Sequence, residues 1–211
     1  QSFQPNTLTS TTIDGEFLEP ERGEQFELGV KANLLDGRLT ANLAYFDIAL
    51  TNVAESDPDN PGFVVPIGRQ RSRGIEVGIT GEILSGWNLV AGVSLLDTRI
   101  EESSRFGEGN GVRNVPDVTA NLWTSYEIQS GSLVGLGFGL GLFFVGDRPG
   151  DAANTFTLNE YLRTDAAIYY NRNNFRVGLN FRNIFDVNYF EGSVDRRGVA
   201  PGDPFTVVGS V

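Results

Sequence analysis

The chain has 211 residues, with 27 acidic against 16 basic side chains and a formal charge of −11; this repels nucleic-acid phosphate and excludes the basic footprint of a DNA- or RNA-binding domain. Cysteine and histidine are both absent, which excludes thiol nucleophiles, imidazole acid–base chemistry, zinc sites built on those ligands and a disulfide scaffold. No run of eighteen or more apolar residues encodes a transmembrane helix, and Gln1 opens a polar segment instead of a signal peptide. With methionine absent throughout, a piece of a longer precursor is expected.

In chain order, period-two alternation marks one strand after another. Phe26, Leu28, Val30, Ala32 and Leu34 alternate with Glu27, Gly29, Lys31 and Asn33, and Leu35-Asp36-Gly37 reads as a tight hairpin turn. The return strand, Arg38 to about Leu50, aligns Leu39, Ala41, Leu43 and Tyr45. A second pair spans Arg71–Ile83 and Trp87–Ile100, linked by Leu84-Ser85-Gly86; a third spans Pro116–Gln129 and Leu133–Gly146, linked by Ser130-Gly131-Ser132. A fourth pair, Leu158–Tyr170 and Phe175–Tyr189, is joined through residues 171–174, and Pro204–Val211 is a ninth candidate strand.

Leu133–Val145 is apolar enough for a buried helix, but Gly135, Gly137, Gly139 and Gly141 would each weaken a helix by about 1 kcal/mol relative to Ala. In a strand these glycines share one face. The expectation is that Val134, Leu136, Phe138, Leu140 and Leu142 face lipid while the glycines face inward, leaving room for another segment to pack closely.

The connections alternate between short and long. Turns near residues 36, 85, 131 and 172 are brief, whereas Thr51–Gln70, Glu101–Val115, Asp147–Thr157 and Phe190–Asp203 are long and polar. Outer-membrane barrels have this asymmetry, with short periplasmic turns and long extracellular loops. A soluble sandwich or propeller is the plain alternative, but its strands are typically about 5–6 residues, shorter than those read here. Tyr45, Trp87, Tyr126, Tyr169 and Tyr170, near strand ends, suit an interfacial girdle. The fold class is therefore all-β: an antiparallel transmembrane β-barrel fragment of about nine strands, because an open lipid-facing sheet with bare edges cannot persist in a bilayer.

Four motifs carry a family resemblance. Residues 20–31, Pro20-Glu21-Arg22-Gly23-Glu24-Gln25-Phe26-Glu27-Leu28-Gly29-Val30-Lys31, resemble a strand opening of TonB-dependent siderophore receptors. Arg71-Ser72-Arg73-Gly74-Ile75-Glu76 with Gly86-Trp87-Asn88-Leu89 is similar to one of their hairpins. Asn183-Ile184-Phe185-Asp186-Val187-Asn188-Tyr189 resembles the signature of the penultimate strand, and Pro201-Gly202-Asp203-Pro204 that before the last strand. Phe205 stands where many members carry Arg, and the usual terminal aromatic is missing. The resemblance, closest to ferrichrome- and aerobactin-type receptors, implies that residues 1–211 are the C-terminal portion of a twenty-two-stranded barrel in the bacterial outer membrane. It also implies an N-terminal plug and TonB box outside this sequence, energisation by the TonB-ExbB-ExbD complex, a ferric siderophore as transported ligand, contact with outer-membrane lipid and lipopolysaccharide, and no enzymatic activity. A passive porin or an adhesive barrel would share the strands without a plug.

Other motifs have plainer readings. Gly107-Glu108-Gly109-Asn110-Gly111 lacks the Lys-Ser/Thr of a P-loop and reads as a loop tip. Asp57-Pro58-Asp59-Asn60-Pro61 could offer oxygen to calcium but lacks the spaced carboxylates of a dedicated site, and Glu101-Glu102 has nothing to orient it for acid–base work. Glu27, Lys31, Glu76, Glu82, Arg163, Asp165, Arg176 and Arg182 are expected on the inner face, as charge networks lining a wet lumen or docking a plug. Arg69, Arg71, Arg105, Phe106, Arg113, Arg148, Arg196 and Arg197 are the candidate substrate-binding residues of an extracellular rim, where arginines in an acidic chain can steer an anionic chelate. Pairing with loop carboxylates or with lipopolysaccharide phosphate is the alternative for the same arginines.

Overall fold

The computed structural model describes residues 2–5, 11–57, 59–103 and 105–211. Its strands in chain order are β1 (Ser2–Gln4), β2 (Glu21–Leu34), β3 (Leu39–Ser56), β4 (Val64–Leu84), β5 (Trp87–Glu102), β6 (Val118–Glu127) and β7 (Leu136–Val145). There follow β8 (Arg148–Pro149), β9 (Thr157–Leu158), β10 (Tyr161–Arg172), β11 (Phe175–Arg182), β12 (Phe190–Ser193), β13 (Val199–Pro201) and β14 (Thr206–Ser210). Ten strands form one sheet in the order β1-β2-β3-β4-β5-β6-β7-β10-β11-β14, each antiparallel to its neighbour, while β8-β9 and β12-β13 are two-stranded ribbons inside loops. The nine candidate strands are all present, joined by β1.

Register fixes the faces. Leu28 pairs with Tyr45 and Tyr45 with Ile75; Val77 pairs with Val93, Val93 with Ala120 and Ala120 with Phe144. One side of the sheet is thus apolar from β2 to β11, and its side chains are bare: Leu28 and Val30 are each 68% exposed. In water such a surface would collapse against another layer; against acyl chains it needs none. On β5 the apolar outer run extends from Trp87 to Leu95 before Asp97. Those nine residues, at about 3.3 Å each and a tilt of about 40°, rise somewhat over 20 Å, close to the height of an outer-membrane apolar band. Trp87, Tyr126 and Tyr170 mark its turn-side border. Tyr45 lies mid-strand yet just below Asp47, at the upper border, because β3 continues beyond the band. Tyr169 departs from the expected girdle: it shares the inner face with Ala167 and Asn171.

The long connections are shorter than expected because backbone pairing is indifferent to side-chain polarity. Ser56 still pairs with Val64, so the first loop shrinks to residues 57–63, and β5 runs on to Glu102 through a bulge at Glu101. At the opposite end, β7 begins at Leu136, not Leu133. Gly131 and Gly135 have φ of +84° and +91°, and a Cβ on Gly135 would come within 1.8 Å of the Asn171 carbonyl, so residues 128–135 form a wider turn that takes Val134 out of the strand. β11 stops at Arg182 instead of Tyr189: Asn183 adopts φ +51° and Asp186 +48°, and the chain leaves the sheet.

The inner face of β7 carries Gly137, Gly139 and Gly141, as expected, but the space above them is taken from within the sheet. Trp123 of β6 lies over Gly139 and Gly141, where added Cβ atoms would meet its ring at 2.6 Å, and Tyr169 of β10 lies over Gly137. Strand glycines here are a shelf for neighbouring aromatic rings. Among the described residues a conventional core occurs at the loop end, where Ile67, Ile100, Phe106 and Ala152 are buried together.

Candidate ligand-binding rim

The loops that follow β3, β5, β7 and β11 lie at one end of the sheet, opposite the tight turns, and they bond to one another. Asp57, buried, accepts bonds from the backbone N–H of Asp59 and from the Asn60 side-chain amide, both at 3.0 Å, and pairs with Arg105 across loops at 2.5 Å. The Asn60 bond, then that of Asp59 and the Arg105 guanidinium, hold the Asp57 carboxyl below the ordinary carboxylate range against the opposing effect of burial. The suggested calcium loop is therefore an Asx turn with its oxygens already engaged; Pro58 lies outside the described residues, among which no three acidic groups gather as metal ligands.

The eight candidate rim residues fall into two places. Arg69 and Arg71 stand on the outer wall, above Ile75 and Val77 on the same face. Arg71 grips Asp47 with Nε and Nη2 at 2.7 and 2.6 Å and reaches Glu101 at 3.5 Å, while Arg69 Nε lies 3.0 Å from Glu101. Asp47, Arg73, Asp97, Arg99 and Glu101 complete this belt, on the same face as the apolar run and beyond its loop-side end.

The other six belong to the loop cap. Arg105 pairs with Asp57 and Asp59, and Phe106 fills the small core between Ile67, Ile100 and Ala152. Arg113 Nη1 donates to the Val194 carbonyl at 2.7 Å. Arg148, 3% exposed, donates to the Gly146 and Phe190 carbonyls and lies 5.6 Å over the Tyr161 ring, which stacks on Tyr189. Arg196 donates to the Thr155 carbonyl and covers the Phe156 ring, whereas Arg197 stands exposed, its backbone N–H bonded to Asp195. Arg105, Arg113, Arg148 and Arg196 thus spend donors on holding loops together, and Arg197 presents a guanidinium outward.

Residues outside the expected set do as much to build the cap. Asn154 exchanges two bonds with the Gly111 backbone at 2.8 and 2.9 Å, and Asn110 donates to the Ala152 carbonyl. On the inner wall beneath, Arg163 binds Asp165 through two bonds of 3.1 Å and lies 4.8 Å over the Phe143 ring. Asp165 in turn accepts from the N–H of Asn183, which is fully buried and bonds to the Val187 and Asp203 carbonyls. Asp186 accepts from the Phe205 N–H. The Asn183-Ile184-Phe185-Asp186 motif is therefore the device that turns β11 into its loop and seats β14. Sequence offered one signal for these asparagines: Asn tolerates the left-handed backbone, and Asn114, Asn154 and Asn183 all adopt it.

This architecture, an apolar outer wall below interlocked loops, has counterparts among known proteins. The profile of the family described as "TonB dependent receptor-like, beta-barrel" matches residues 1–184. The metal-pseudopaline receptor CntO of Pseudomonas aeruginosa is 35% identical over 206 residues, 97% of this chain and 29% of that protein. The ferrichrome outer membrane transporter/phage receptor of Escherichia coli K12 is 30% identical over 90% of this chain and 26% of its own length. Among solved structures, the siderophore receptor PiuA of Acinetobacter baumannii superposes with a TM-score of 0.75 at 30% identity, covering 92% of this chain and 28% of that one. The chain spans under a third of the length of these relatives.

Proposed function

Because the chain belongs to the TonB-dependent receptor β-barrel family of the outer membrane, which comprises receptors and not enzymes, we propose that it serves in a receptor that imports ferric siderophores with energy from the TonB-ExbB-ExbD complex. The observation that carries this reading is the alignment of 97% of the chain with a metal-pseudopaline receptor, on a sheet whose outer face is apolar and whose loops are structured. β1 covers only Glu21–Gly23 of β2, and the far side of β14 is unpaired among the described residues. Open edges are untenable in a bilayer, which supports a reading in which further strands of a longer protein close the barrel around a plug segment.

The rim supplies the ligand contacts in this reading. Arg197, with the exposed parts of Arg113 and Arg196, offers cationic contacts to an anionic chelate among loops that are otherwise acidic. Arg148 and Phe106 hold the surface in shape, and Arg69 and Arg71 meet lipopolysaccharide or lipid headgroups on the outer wall. Relatives named for ferrichrome and ferrioxamine B support a hydroxamate chelate as the ligand of this reading, beside the metal-pseudopaline named for a relative of higher identity. Titration of the full-length receptor with ferric hydroxamate, ferric catecholate and cobalamin ligands tests the proposal. Tight binding of a ferric chelate is expected, and tight binding of cobalamin alone would overturn the iron reading.

A further inference from the structure

We propose that Asn114 is a positioning residue for the ligand-facing surface: it ties the loops after β5, β7 and β11 into one body without itself being the contact for a chelate. The inference rests on the receptor reading for its ligand, but the coupling stands on bonds alone. The Asn114 backbone N–H donates to the Pro149 carbonyl in the β7–β10 loop at 2.8 Å. Its side-chain Nδ2 donates to the Ser193 carbonyl at 2.8 Å, while Oδ1 accepts from the Ser193 N–H at 2.9 Å in the β11–β14 loop. Ser193, buried, also meets the Gly150 carbonyl at 2.5 Å, which closes a three-loop circuit.

The residue type fits the task. An amide presents a donor and an acceptor side by side, matching the N–H and C=O of one extended residue; a carboxylate offers acceptors only. Asn also tolerates the φ of +63° that aims its side chain across the gap. Asn154 joins the β5–β6 and β7–β10 loops through its exchange with Gly111, whereas Asn114 and Arg113 tie the β5–β6 loop to the third loop, which Arg148, Arg196 and Ser193 also fasten to the strand end and loop after β7. A loop cap linked in this way opens or shifts as a unit.

The test uses the full-length receptor and two variants. Asn114→Gly keeps the left-handed backbone and its N–H while deleting both side-chain bonds; Asn114→Asp keeps the acceptor alone. Hydrogen exchange read by mass spectrometry should rise in Asn114→Gly at residues 187–202 and 147–156 together, remote in sequence from the substitution, with Asn114→Asp intermediate and the heat-resistant migration of the barrel unchanged. Dissociation of a ferric trihydroxamate and a ferric tris-catecholate should quicken by about fivefold or more for whichever binds, the scale expected when one or two hydrogen bonds that shape a site are lost. Faster exchange confined to residues 112–116 would overturn the coupling, and loosened loops with unchanged dissociation would overturn the positioning role. Failure of the unaltered receptor to bind either chelate would count against the receptor reading, while the exchange result still decides the coupling.

Discussion

The membrane wall and the loop cap of this chain obey opposite rules. Along the wall, Leu28, Val77, Val93 and Leu140 point outward and are largely bare, the inner face carries polar residues and glycine, and the sheet is held by its ladders and the bilayer. In the cap, Ile67, Ile100 and Phe106 point inward, and Asp57, Arg148 and Ser193 are buried with their hydrogen bonds satisfied, as in any water-soluble domain. The boundary runs across single strands: on β5 the outer face changes from Leu95 to Asp97 without a break in pairing. One backbone can therefore serve two solvents, because the ladder supplies the structure and the side chains supply the environment.

The sharpest way to break the comparison is to put a charge on the wall. Leu140→Arg, on the lipid face of β7, should cost up to about 4 kcal/mol in folding of the full-length receptor into vesicles, while Asn180→Arg on the inner face of β11 should cost far less. Equal tolerance would invert the assigned faces. The complementary change in the cap is Phe106→Ala, which removes the largest side chain of its small core. A loss of about 3 kcal/mol in local stability is expected, seen as faster exchange around residues 57–67 and 98–112 with barrel insertion intact. If insertion failed as well, wall and cap would not be separable units.

A smaller effect sharpens the picture inside the wall. Gly139→Ala should destabilise by about 1–2 kcal/mol, because its Cβ meets the Trp123 ring at 2.6 Å. Combination with Trp123→Ala should recover part of that loss; strict additivity would mean that the ring does not occupy the glycine shelf.

The smallest effect is one of pH. Since the Asp57 carboxyl is held below its ordinary value of 3.8, its contribution to tying two loops is complete above that value and is lost as pH falls through the lowered one. Pepsin nicking of residues 57–63, followed between about pH 2 and 5, should therefore rise only at the acid end of that range. Asp57→Asn should be nicked at a rate with less dependence on this titration. Identical profiles for the two proteins would remove Asp57 from the tie.

Much of the wall was legible because period-two patterning is local. The hairpin turns at Leu35-Asp36-Gly37 and Leu84-Ser85-Gly86 and the outward set of β7 from Leu136 to Leu142 all follow from neighbours in the chain. Strand ends were less legible: β3 and β4 continue through polar residues, and β11 ends early at Asn183, since ladders and left-handed turns depend on partners as much as on composition. The rim was least legible. Arg69 and Arg105 look alike as loop arginines, yet one stands on the outer wall beside Glu101 and the other bridges two loops to Asp57.

Sequence alone determined the alternation, the short and long connections, and so which residues share a face, because each is set within a few bonds along the backbone. Tertiary structure alone decided that Trp123 roofs the glycines of β7, that Arg148 is buried at the mouth, and that Asn114 joins three loops. Those contacts unite residues tens of positions apart, and no local propensity specifies which distant carbonyl or ring a side chain will meet once the strands have closed their register.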